Sequence, residues 1–110
     1  MATKKDQFGN IKSLRKHLGP MTVGSFLRAW RKSEEMTQRE FAEMLGISPA
    51  NLCDIEKERK GVSLEKAEEI AEIIGYSPTV LIGLAFNEQL RDAGLEYEVE
   101  VKPRSKKAAG

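Results

Sequence analysis

From Val23 onward the apolar residues recur at helical spacing, and most of the runs begin at a residue able to cap a helix. Val23, Phe26, Leu27 and Trp30 form one stripe behind Thr22, a candidate N-cap. Thr37 opens a second run, with Glu40 at the capping-box position and Phe41, Ala42 and Leu45 facing inward until Gly46 stops it. Ser48 caps a third run, with Pro49 at the first helical position, where a missing N–H costs nothing, and Leu52 and Ile55 inward. Ser63 opens a fourth, with Lys66 where a capping box would carry Glu. Leu64, Ala67, Ile70, Ala71 and Ile74 supply its stripe and Gly75 ends it. Ser77 and Pro78 start a fifth helix with two apolar sides. Leu81, Leu84 and Ala85 form one; Ile82, Phe86 and Leu90 form another, roughly 130° round the axis. The first stripe is expected to pack on the domain, and the second needs another partner.

After Gly94 the period changes. Leu95, Tyr97, Val99 and Val101 alternate with Glu96, Glu98, Glu100 and Lys102 up to Pro103, which predicts a β-strand. A lone strand leaves backbone donors and acceptors unpaired, so the expected partner is its copy in a second subunit or another protein. The alternative is an edge that merely lies on the domain. Upstream, Asn10 can cap a short basic helix with Ile11, Leu14 and Leu18 on one face, ending at Gly19-Pro20. The expected fold is therefore all-α, five helices with a C-terminal β-strand extension. Residues 1–20 form an N-terminal extension, 21–77 the domain, 78–102 a dimerisation helix and strand, and 103–110 a flexible basic tail.

A chain of 110 residues supports one core and leaves no room for a separate catalytic domain. The longest mainly apolar stretch, Val80 to Phe86, is far too short to span a membrane, and Lys4, Lys5 and Asp6 precede no apolar signal region, so a cytoplasmic location is expected. Cys53 stands alone, which excludes an internal disulfide and a cysteine metal cluster; it reads as a redox-sensing thiol or as a small residue suited to its site. His17 reads as a solvated residue on a basic helix. No metal or cofactor is expected, and no arrangement of nucleophile and base suggests an enzyme.

The net charge of +1 hides an uneven distribution, with residues 48–101 strongly acidic and both flanking segments basic. Charge alone does not announce a nucleic-acid partner, so that argument rests on motif and geometry. The informative stretch runs from Thr37 to Glu56. Two short helices joined by a tight turn at Gly46 set the second steeply across the first, and an exposed helix of that length fits the major groove of DNA. Ala42 is small where the helices approach, and Gly46 permits a left-handed backbone.

Leu27-Arg28 with Arg31, Thr37-Gln38, Phe41-Ala42, Gly46-Ile47-Ser48 and Ile55-Glu56, followed by an amphipathic helix, resemble the Cro/CI-like, or Xre, family of helix-turn-helix proteins over about Val23 to Tyr76. The resemblance implies a lambda-repressor-like fold that binds double-stranded DNA. It places Thr37 and Gln38 at the start of the second helix, where Gln38 would hold a phosphate. Ser48, Pro49, Ala50, Asn51 and Asp54 fall at the base-reading end of the third. Asn51 could pair with adenine, Ala50 could meet a thymine methyl and Asp54 could accept from cytosine, or Asp54 could instead pair with Lys57 one turn on. Lys57, Arg59 and Lys60 are candidate phosphate contacts. Arg31 and Glu56 look like the family's internal ion pair. The sequence departs from the pattern at Glu58, where glycine is usual, and at Val62, where proline is common.

Three functions fit these features: a repressor of a palindromic operator, an antitoxin whose strand binds a toxin while the protein represses its own operon, and a protein adaptor on the same fold. A repressor of this size needs two recognition helices. A homodimer through Ile82, Phe86 and Leu90, with Leu95, Tyr97, Val99 and Val101 paired across a two-fold axis, would supply them.

Overall fold

The computed structural model describes residues 21–104, which contain five helices: α1 (Val23–Ser33), α2 (Gln38–Leu45), α3 (Pro49–Glu56), α4 (Leu64–Ile74) and α5 (Pro78–Asp92). They fall into two compact units divided between Gly61 and Val62. The expected helix after Asn10, His17 and most of the basic tail lie outside the described residues.

In the first unit α3 packs on both α1 and α2. Each helix starts where a side chain replaces a missing backbone partner. Thr22, Thr37 and Ser48 accept from the N–H groups of Ser25, Glu40 and Asn51, and Ser25 and Glu40 return the bond to the N–H of their caps. Phe26, Leu27, Phe41, Leu45 and Leu52 are fully or almost fully buried, and Trp30 stacks on Phe41 with ring centroids 5.3 Å apart. Gly24 decides how near α1 comes to α3. A Cβ at this position would collide with the Ile55 carbonyl, so the close approach is open to glycine alone.

In the second unit α4 and α5 pack together, with Ala67, Ile70 and Ala71 of α4 and Leu81, Leu84 and Ala85 of α5 buried. Ser63 caps α4 through the Lys66 N–H, whereas the Ser77 hydroxyl at the head of α5 meets Thr79 instead of a helix N–H. The other stripe of α5 is less covered: Ile82 and Leu90 are half-buried and Phe86 is 37% exposed.

The strand expected from Leu95 to Val101 is not present; among the described residues there is no strand. The chain instead turns at Gly94 and runs back along its own helix. Asn87 Nδ2 donates to the Val99 carbonyl at 3.0 Å, and the Val99 N–H donates to Asn87 Oδ1 at 2.7 Å. A carboxamide carries the same donor and acceptor as a peptide group, so Asn87 satisfies Val99 as a neighbouring strand would. Val101 lies over Gly83, its Cγ2 in ordinary contact distance of where a Cβ would stand. Val99 and Val101 are accordingly half-buried, while Leu95 and Tyr97 are 47% and 72% exposed. The alternation that suggested pairing with another strand is thus partly absorbed within one chain.

The close approach at Gly24 sets an expectation. Gly24→Ala should destabilise the protein by about 1–3 kcal/mol through overpacking against backbone. Thermal unfolding should then show a midpoint lower by about 4–8 °C for each kcal/mol lost; an unchanged midpoint would mean that α1 and α3 can separate at no cost.

Candidate nucleic-acid interface

The end of α3 carries a buried acid. The Glu56 side chain is 2% exposed, and Arg31 of α1, 12% exposed, grips it with Nε on Oε2 at 2.8 Å and Nη2 on Oε1 at 2.9 Å. This two-bond fork matches guanidinium to carboxylate geometry. Arg31 Nη1 also donates to the Met36 carbonyl at 2.9 Å, in the loop before α2, and Gln38 Nε2 donates to Glu56 Oε1 at 3.0 Å from the first position of α2. One carboxylate therefore holds the three described helices of the unit. Burial pushes the Glu56 carboxyl upward, but the hydrogen bonds from Arg31 and Gln38, with the charges of Arg31 and Arg28, outweigh it and hold the group below its ordinary range. Its hydrogen bond raises the Arg31 guanidinium further above its already high value.

The turn between α2 and α3 follows from Gly46, at φ 74°, over which the Ile47 N–H closes on the Ala42 carbonyl at 3.0 Å. The Thr37 and Ser48 hydroxyls are engaged in capping, whereas Pro49 and Ala50 are exposed on the first turn of α3. Asn51 is half-buried, and its Oδ1 is covered without a hydrogen-bond partner. A paired contact to adenine therefore requires this amide to turn outward. Cys53 is a free, half-buried thiol on the same helix. Among the described residues no group of His, Cys, Asp and Glu is placed to hold a metal ion.

Beyond α3 the chain closes over Glu58, which adopts φ 62° in the left-handed region. The Glu58 N–H donates to the Ile55 carbonyl at 3.0 Å and the Arg59 N–H to the Asp54 carbonyl at 2.8 Å, the two bonds of a Schellman motif. Glu58 thus occupies a glycine conformation without being glycine. Lys57, Arg59 and Lys60 are all exposed. The partner of Asp54 is Arg59, through Nη1 at 2.8 Å, and not Lys57. Pairing five residues on becomes available because the Schellman closure doubles the chain back over the last turn. Sequence spacing missed this contact, the Gln38 bond to Glu56 and the role of Gly24, each of which depends on how the chain folds back on itself.

A family model described as Helix-turn-helix matches residues 27–81, half of the chain. The chain belongs to this family, which makes it a helix-turn-helix DNA-binding protein. Among curated proteins it is similar to the Immunity repressor protein of Bacillus phage phi105, 36% identical over 63 residues that make up 57% of this chain and 44% of the repressor. The chain thus spans less than half the length of that relative. No solved structure matches it. Among the described residues no helix is long and apolar enough to cross a membrane.

Removing one partner of the buried pair should be costly. Arg31→Met leaves Glu56 buried without its counter-charge and should destabilise the protein by about 3–5 kcal/mol, read from urea unfolding. The wild type should also lose stability as pH falls through the depressed value of Glu56, because the unfolded carboxyl takes up a proton at higher pH than the folded one. Glu56→Gln should flatten that acid limb, and an acid limb unchanged by the substitution would remove Glu56 as its source.

Releasing Glu58 from its strained backbone should act in the opposite direction. Glu58→Gly should stabilise the protein by about 0.5–1 kcal/mol. A lower melting point would show that the Glu58 side chain makes up for its conformation.

Proposed function

We propose that the protein is a transcriptional repressor that binds a palindromic operator as a homodimer. The observation that carries this reading is the pairing of an exposed α3 N-terminus with a Gln38 whose amide is held by Glu56 at the head of α2. The first intrahelical donor of α2 is the Phe41 N–H, so the N–H groups of Gln38 and Arg39 precede the ladder and point where a phosphate is favoured. Similarity to a protein named as an immunity repressor supports the same reading. In it Gln38 positions the DNA backbone, Asn51 reads a base after turning its amide out, Ala50 meets a base edge, and Lys57, Arg59 and Lys60 contact phosphates.

A single α3 spans only a few base pairs, and two recognition helices about 34 Å apart read successive major grooves. Supporting a dimer are Ile82, Phe86 and Leu90 on the less covered side of α5, with the exposed Leu95 and Tyr97. Val99 and Val101 are engaged by their own helix and contribute through it.

Binding assays on operator and scrambled DNA separate the roles. Asn51→Ala should lose about 1–3 kcal/mol on operator alone, while Gln38→Ala weakens both DNAs. The log–log salt slope should lie roughly between −5 and −7 for a dimer neutralising about six to eight phosphates. Equal losses on both DNAs for Asn51→Ala would remove it as the base reader, and a slope near zero would favour the adaptor reading. Phe86→Glu should yield monomers in sedimentation and weaken operator binding at least about tenfold; a variant that stays dimeric would move the interface elsewhere.

A further inference from the structure

Asp54 sits on α3 one turn beyond Asn51, on the helix expected to face bases, yet its carboxylate is already occupied. Arg59 Nη1 donates to Asp54 Oδ1 at 2.8 Å, and the Arg59 backbone N–H donates to the Asp54 carbonyl, also at 2.8 Å. The same residue is thus tethered twice, once through backbone and once through side chain. The left-handed Glu58 between them makes both bonds reachable, because it turns the chain back over the last turn of α3. The guanidinium keeps most of its five N–H donors free of Asp54, and its side chain is 59% exposed.

We propose that Asp54 is a positioning residue: it reads no base but holds the Arg59 guanidinium against the end of α3, aimed at a DNA phosphate. The proposal rests on the DNA-binding reading above and assigns Asp54 a different task within it. An arginine on a free loop must be ordered when it binds, whereas one already leaning on a carboxylate has lost part of that freedom beforehand. The carboxylate also repels phosphate, so the two effects oppose each other and predict opposite signs for its neutralisation. Charge alone says that Asp54→Asn strengthens DNA binding, and positioning says that it weakens it. Exposed pairs of this kind are worth up to about 1 kcal/mol, which corresponds to an effect of about two- to fivefold in Kd.

The test is a double-mutant cycle in the full chain, with operator affinity at fixed salt for wild type, Asp54→Asn, Arg59→Ala and the double variant. Asp54→Asn should weaken binding about two- to fivefold in the wild type and should not weaken it in the Arg59→Ala background, where only the repulsion remains to be relieved. Arg59→Ala should lower the magnitude of the salt slope by about one for each recognition helix. Tighter binding by Asp54→Asn would overturn the proposal. So would a loss that persists without Arg59 and falls at one base pair across a panel of substituted operators, since that is the signature of a base reader. The DNA-free protein supplies an independent reading: NMR relaxation of the Arg59 Nε–H should show an ordered side chain in the wild type and a mobile one in Asp54→Asn. Equal mobility in the two would overturn the positioning role whatever the protein does with DNA, while an ordered Arg59 in a protein that binds no DNA would count against the repressor reading alone.

Discussion

A carboxylate taken out of water costs several kcal/mol unless charge and hydrogen bonds replace its hydration, and the arrangement of α1, α2 and α3 is what supplies the replacement for Glu56. Arg31 comes from α1 and Gln38 from the first turn of α2, and the acid itself ends α3. Displacing any of the three helices removes a partner from a group that cannot be rehydrated in place. The same network sets the direction of the Gln38 amide at the head of α2. Gly24 lets α1 come close to the last turn of α3, where a Cβ would collide with the Ile55 carbonyl.

Helix termination is handled in one way throughout. After each of the five described helices a residue in the left-handed region is followed by an N–H that closes on the carbonyl five residues back. Gly46, Gly75 and Gly94 do this at little cost, and Glu35 and Glu58 do it against their own preference. The two glutamates lie in the first unit, after α1 and after α3, where the chain turns toward Met36 and Arg59. Both following residues make contacts of their own: the Met36 carbonyl accepts from Arg31, and Arg59 binds Asp54.

Much of the fold was legible because its determinants are local. Thr22, Thr37, Ser48 and Ser63 each form the cap that their sequence neighbourhoods indicate, and the stripes of Phe26 and Leu27, Phe41 and Leu45, and Ile70 and Ala71 are buried. What escaped is contact between residues whose separation carries no period. Gly24 matters because of Ile55, and Asn87 because of Val99, whose backbone it satisfies in place of a second strand. Asp54 had a partner one turn away in Lys57, but the Schellman closure offered Arg59 instead. Glu58 was visible as a departure from a glycine position, and its left-handed φ shows that the backbone kept the turn and bore the strain.

The Glu56 carboxylate thus organises both the packing of α1, α2 and α3 and the orientation of the Gln38 amide. The most direct measurement is an NMR titration of the Gln38 side-chain amide in the DNA-free protein as pH is lowered. Its resonances should hold constant through the ordinary carboxylate range, move only when the depressed Glu56 is protonated, and be displaced at all pH values in Glu56→Gln. A Gln38 amide whose resonances ignore both the titration and the substitution would contradict that role of Glu56.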